Sequence, residues 1–187
     1  MTNVLVAMGA NQAGNVTDLT ATIQSSLTAL DQHYSLTICQ VSRMYVTKAF
    51  PIGSGPDFVN AAAILESDLP SIQILQILHK VEQTFGRQRM VRWGPRALDL
   101  DLLGRANEIL PDRATVLSWM NASLVDGVIS APDQLILPHP RLHERAFVLV
   151  PAHDVAPDWM HPILGQSVSE MLKTLPKGEL DSIRALD

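Results

Sequence analysis

One cysteine, Cys39, stands in 187 residues. No intrachain disulfide can form, which fits a reducing compartment. Long apolar runs are missing too. The longest near the start, Val4 to Met8, is too short for a signal peptide or a membrane span, and no charged segment precedes it. There is no basic excess: the net charge is −5 and the sequence pI about 5.6, which argues against nucleic acid as the main partner. Charged residues make up 18% against 47% hydrophobic, a globular rather than a disordered balance. The expectation is a cytoplasmic chain, 1–187, forming one domain, with no nucleic-acid or membrane partner. The nucleotide-binding glycine patterns G-x-x-x-x-G-K-[ST] and G-x-G-x-x-G are absent. His139 and His143 have the four-residue zinc spacing, but Pro140 intervenes and no H-E-x-x-H accompanies them, so zinc is disfavoured.

What is present is an alternation of strand and helix signals. Val4–Met8 reads as a buried strand ended by Gly9-Ala-Asn11. Leu19, Ile23, Leu27 and Leu30 follow helical spacing and predict a helix over 17–31. Residues 35–46 read as a second strand, 57–66 as a third paired with it, and Pro70 opens a helix that Gly86 stops. Residues 104–134 lack a clean period and read as an insertion with a strand or short helix. A short helix is expected near 142–150, and Ser167 with Glu170 forms a capping box for a last helix over 168–175.

The chemistry concentrates in Arg92-Trp-Gly-Pro-Arg-Ala-Leu-Asp-Leu-Asp-Leu-Leu103. Side chains alternate along a strand, so Leu98, Leu100 and Leu102 can face a core while Asp99 and Asp101 share the other face. Two carboxylates ~6.6 Å apart repel by about 2–3 kcal/mol at an effective dielectric near 20. A divalent cation turns that repulsion into attraction, and a small set of hard oxygens suits Mg²⁺. Arg87, Arg89, Arg92 and Arg96 precede the pair. They are either a solvated loop or a phosphate-binding set, since guanidinium groups grip phosphate oxygens in pairs. Trp93 fits either a core or a ring closing over a base. On the residues alone, the aspartates could also blunt an exposed sheet edge.

This stretch resembles the signature of the 6-hydroxymethyl-7,8-dihydropterin pyrophosphokinase family. Further segments agree in the family's order: Gly9-Ala-Asn11; Ser42 through Thr47, with Gly53; Asp57-Phe-Val-Asn-Ala61; Glu82 with Gly86-Arg-Gln-Arg89; Leu137-Pro-His-Pro-Arg141; and Arg145-Ala-Phe-Val-Leu-Val-Pro151. The resemblance implies an α+β fold, a ferredoxin-like three-layer α-β-α sandwich with a mostly antiparallel sheet. It implies transfer of pyrophosphate from ATP to the pterin's hydroxymethyl oxygen, with release of AMP, in folate biosynthesis. By the same resemblance Asp99 and Asp101 hold two Mg²⁺ ions and act in catalysis with Arg87 and Arg96. Arg89, Arg92, Trp93, His139, Arg145 and Glu82 serve ATP. Thr47, Gly53, Phe58, Asn60 and Phe147 serve the pterin, with the two phenylalanines sandwiching its ring.

Departures are visible as well. The run from Thr47 to Gly53 is longer than usual, Arg89 to Trp93 is shorter than in some relatives, and 104–134 is expanded. Gln134 and Ile136 stand where some members carry a basic residue and a hydroxyl that contact ATP. The partners implied are small molecules, ATP and the reduced pterin. The oligomeric state is open, with a monomer favoured. The rival readings are another Asp-x-Asp, Mg²⁺-dependent nucleotidyl or phosphoryl transferase, or a non-catalytic binding relative.

Overall fold

The computed structural model describes residues 1–12, 16–49, 55–86, 97–122 and 132–186. Its first part runs β1 (Thr2–Ala10), α1 (Val16–Asp31), β2 (Thr37–Val41), β3 (Tyr45–Thr47), β4 (Phe58–Ser67), α2 (Ser71–Thr84) and β5 (Asp99–Arg105). This is a β-α-β-β-α-β unit whose second strand is broken into β2 and β3. β1 lies between β5 and β4, and β2 and β3 both pair with β4; each of these pairings is antiparallel. That order is the ferredoxin-like one. The chain continues through α3 (Arg113–Met120), a 3-10 turn (Leu142–Glu144), α4 (Ala146–Val155), α5 (Val168–Thr174), α6 (Lys177–Leu180) and β6 (Arg184–Ala185), which adds to β3.

Alternation sorts the sheet residues into two cores. Val4, Val6 and Met8 of β1, Ala61, Ala63 and Leu65 of β4, and Leu100 and Leu102 of β5 pack against Leu19, Ile23 and Leu30 of α1 and Ile74 and Leu78 of α2. Leu5, Ala7, Ala62 and Leu103 face the other way, against Val148, Leu149 and Ala152 of α4 and Val168 and Met171 of α5. The result is three layers, with the sheet in the middle. Each fully buried aliphatic side chain contributes about 1.5–3 kcal/mol of transfer free energy. The expected α+β sandwich is therefore the observed one.

Several local expectations need correction. β1 runs on through Gly9 and Ala10, because both still pair with β4. The single strand predicted over 35–46 is two, separated by Ser42–Met44. Ser42 takes over the ladder there: its Oγ accepts from Ala62 N at 2.9 Å and its own N–H donates to Ala62 O at 2.9 Å. The helix expected near 142–150 starts later and runs to Val155. The capping box is present, with Glu170 N donating to Ser167 Oγ and Ser167 N to Glu170 Oε2.

The 104–134 segment contains more order than its sequence shows. β5 extends into it, Leu110 bridges to Leu137, and Asp112 caps α3 by accepting from Thr115 N at 2.9 Å. Val116, Ile136 and Ile163 form a third, small core beneath α3. Ile136 is thus buried rather than presented to a ligand. Gly104 is required where it is, since a Cβ there would lie 2.5 Å from the Trp159 ring.

Candidate active site

The antiparallel register builds the site. Asp99 pairs with Gly9, Gly9 with Asn60, and Asn60 with Tyr45, in one row across β5, β1, β4 and β3. Asp101 pairs with Ala7 in the next row but one. Directly paired residues point to the same face, so both aspartates share a face with Asn60. The helices α4 and α5 cover one end of that face, around Leu5, Ile64 and Leu103. At the other end Phe58, Asp99 and Asp101 keep partial exposure. Leu98, Leu100 and Leu102 are each no more than 3% exposed on the opposite face, as the alternation predicts.

On the β4 side the Asn60 amide Nδ2 donates to Thr47 Oγ1 at 2.8 Å, and both residues are buried. Gly9 makes room beside them. A Cβ there would sit 3.0 Å from Asn60 Oδ1 and 3.9 Å from the Phe58 ring. Asn11, just past β1, is buried and donates from Nδ2 to Pro56 O at 3.3 Å, tying the strand end to the turn before Phe58.

The third wall comes from the segment that enters α4. Arg145 is the residue before the helix, and its guanidinium carbon lies 5.7 Å from the centre of the Phe147 ring. Burial lowers the Arg145 pKa while the Asp101 carboxylate works against that shift, which places charge complementarity between the two. Arginine remains a cation at any physiological pH. Phe147 is 40% exposed, an unusual state for a large apolar ring and one suited to stacking.

His139 follows the cis Leu137-Pro138 bond, and its N–H donates to Leu103 O at 2.8 Å. Its Nδ1 accepts from Arg141 N at 3.2 Å. Burial, with Arg145 nearby, pushes its pKa down to about 3. The ring is therefore neutral, and with Nδ1 accepting, Nε2 carries the proton as a donor. His143 is elsewhere, its ring 6.3 Å from that of His161. The two histidines with zinc-like spacing serve different surroundings.

Glu82 is expected among the ATP contacts. It is 1% exposed, and its Oε1 accepts from Leu100 N at 2.8 Å. It anchors the strand residue between the two aspartates. The signal was readable: Glu82 sits one turn after Leu78 on the apolar stripe of α2, and a carboxylate there needs an internal donor. Arg87, Arg89, Arg92, Trp93, Arg96 and Gly53 lie outside the described residues. Asp99, Asp101, Asn60, Phe58, Thr47, His139, Arg145 and Phe147 all belong to the open end of the face or the segments bordering it. Sequence reasoning missed the pair Tyr45 and Asp154. Tyr45 OH donates to Asp154 Oδ2 at 2.8 Å, across 109 positions, where no local pattern could signal it.

Two carboxylates on one partly exposed face, with a cation and a neutral imidazole donor beside them, suit a magnesium-bound phosphate chain. A buried amide with the partly exposed Phe58 ring near it suits a flat heterocycle with amide-like edges.

Comparison with known proteins agrees with this chemistry. Residues 5–157 match the family model of 7,8-dihydro-6-hydroxymethylpterin-pyrophosphokinase (HPPK). The 2-amino-4-hydroxy-6-hydroxymethyldihydropteridine pyrophosphokinase of Haemophilus influenzae is 31% identical over 173 residues, covering 92% of both chains. That of Pseudomonas aeruginosa is 32% identical over 173 residues, covering 92% of this chain and 91% of its own. Solved structures of Plasmodium falciparum HPPK-DHPS share the fold: the wild type gives a TM-score of 0.63 at 12% identity over 92% of this chain. The chain spans only 44% of that longer protein. The chain belongs to the 7,8-dihydro-6-hydroxymethylpterin-pyrophosphokinase family.

Proposed function

We propose that this chain transfers the terminal pyrophosphoryl group of ATP to the hydroxymethyl oxygen of 6-hydroxymethyl-7,8-dihydropterin, releasing AMP, as a step of folate biosynthesis. The observation that carries it is the row Asp99–Gly9–Asn60. Two strand spacings, about 10 Å, separate an acid that suits a metal-bound phosphate from an amide that suits a pterin edge.

Two Mg²⁺ ions held by Asp99 and Asp101 would supply neutralisation of phosphate charge. Phosphoryl transfer depends mainly on positioning and on such neutralisation. The protein's own groups do the rest. Arg145 presents a cation beside Asp101, and His139 donates from Nε2 without adding charge. Asn60, fixed by Thr47, reads the pterin edge, and Phe58 and Phe147 hold its faces. Arg87, Arg89, Arg92 and Arg96 complete the phosphate-binding set in this reading, with Trp93 serving ATP and Gly53 serving the pterin. The transfer favours the pterin hydroxyl only where water, which competes as acceptor, is kept out.

Residues 1–187 act as one domain in this account, as a cytoplasmic monomer with ATP and the reduced pterin as its small-molecule partners. Among the described residues no helix is long and apolar enough to cross a membrane.

Product analysis tests the reaction class. Incubation with ATP, Mg²⁺ and the reduced hydroxymethylpterin is expected to yield AMP and the pyrophosphorylated pterin in equal amounts. Release of inorganic pyrophosphate instead would assign a nucleotidyl transfer. Binding of both ligands without turnover would assign a non-catalytic relative.

A further inference from the structure

Asp154 sits in the last turn of α4, on the helix that carries Phe147 and far in sequence from β3. Its carboxylate collects four hydrogen bonds from β3 and the residues leading into it. Arg43 donates from its backbone N and its Nε at 3.2 Å each and from Nη2 at 3.1 Å, and the Tyr45 hydroxyl donates at 2.8 Å. The Arg43 guanidinium also lies 5.4 Å from the centre of the Tyr45 ring. A single exposed ion pair would add little. Here a backbone N–H and a mostly buried phenol converge on the same carboxylate, so the contact is more than a lone surface pair.

In the proposed function, the two elements joined this way stand on either side of the pterin. α4 starts beside Arg145 and carries Phe147 in its first turn, and its ten residues span about 15 Å. β3 carries Tyr45 and, two residues on, Thr47, which accepts from Asn60. Tyr45 is also the register partner of Asn60. Moving Tyr45 therefore moves both of Asn60's neighbours on β3, its register partner and its hydrogen-bond acceptor.

We propose that Asp154 is a positioning residue for the pterin: through Tyr45 and Arg43 it sets the distance between the Phe147 wall and the Thr47–Asn60 wall. It touches neither substrate. The proposal rests on the pterin lying between Phe58 and Phe147.

Steady-state kinetics with each substrate varied separately tests it, at a temperature well below unfolding. Tyr45→Phe removes one bond and leaves the Arg43 contacts, so it serves if Asp154→Asn fails to fold. Both variants are expected to raise KM for the pterin by about fivefold or more while KM for ATP stays within about twofold. A shared loss of folding stability alone does not split the two constants. Phe58→Ala runs alongside and is expected to raise the pterin KM at least as much. If Phe58→Ala does so while the Tyr45 and Asp154 variants leave the pterin KM unchanged, or shift both constants equally, the positioning role is wrong. If Phe58→Ala also has no effect, the placement of the pterin is wrong and the proposal falls with it.

Discussion

The Asn60 amide is held diagonally. Its Nδ2 donates at 2.8 Å to Thr47 Oγ1, although the register partner of Thr47 is Phe58 and that of Asn60 is Tyr45. Both side chains are buried, so the bond exchanges little with water. It leaves Asn60 Oδ1 facing Gly9 and fixes which edge of the amide a ligand meets.

Removing the acceptor tests that arrangement. Thr47→Val keeps the shape but leaves a buried N–H unpaired, which costs about 1–3 kcal/mol. The expected outcome in urea denaturation is a loss of that size, together with a raised pterin KM. Thr47→Ser is expected to recover both.

Gly9→Ala presses on the other side of the same amide. The added Cβ would lie 3.0 Å from Asn60 Oδ1, so the amide has to give way. A weaker pterin KM is expected with little change in KM for ATP, and a destabilisation of about 1–3 kcal/mol if the strand cannot shift. Isothermal titration with the pterin measures the first effect directly.

Glu82 separates an anchor from a nucleotide contact. Glu82→Ala leaves Leu100 N without its 2.8 Å acceptor, while Glu82→Gln retains one. The alanine variant is expected to lose roughly 1–3 kcal/mol or more of stability, and the glutamine variant much less. An alanine variant of normal stability with a sharply raised KM for ATP would make Glu82 an ATP contact instead.

The sheet-to-helix contact at Asp154 is acid-sensitive in a defined direction. Burial opposes its charge, but the hydrogen bonds from Arg43 and Tyr45 outweigh that and hold its pKa below the ordinary carboxylate range. Tyr45 keeps its proton, its pKa pushed up to about 12 by burial and by Asp154. A carboxyl whose folded pKa is depressed stabilises fully above its unfolded value, about 3.9, and loses that contribution as pH falls through the folded value. In urea denaturation Asp154→Asn is expected to be less stable than the wild type near neutrality. The gap should close on acidification below about pH 4. A gap independent of pH would contradict this.

The β-α-β-β-α-β unit is legible because its apolar periods are unambiguous: Leu98, Leu100 and Leu102 alternate, and Ile74, Leu78 and Val81 repeat at helical spacing. The shared face of Asp99 and Asp101 follows from that alternation alone. The break at 42–44 is not legible, since Ser42 keeps the ladder bonded through its hydroxyl. Nor is the third core, because Val116, Ile136 and Ile163 are distant in sequence. Asp154 reads as an ordinary surface acid until the fold brings Tyr45 to it. Long-range pairs leave no period, and composition cannot supply them.

In the proposed reaction Asp99 and Asp101 together make the transfer magnesium-dependent. AMP release, measured across a magnesium titration at saturating ATP and pterin, tests it most directly, with circular dichroism to show that each variant folds. Asp99→Ala and Asp101→Ala are each expected to fold and to lose at least about 10²–10³-fold in rate at every magnesium concentration. Wild-type rates in both folded variants, with an unchanged magnesium dependence, would contradict the account.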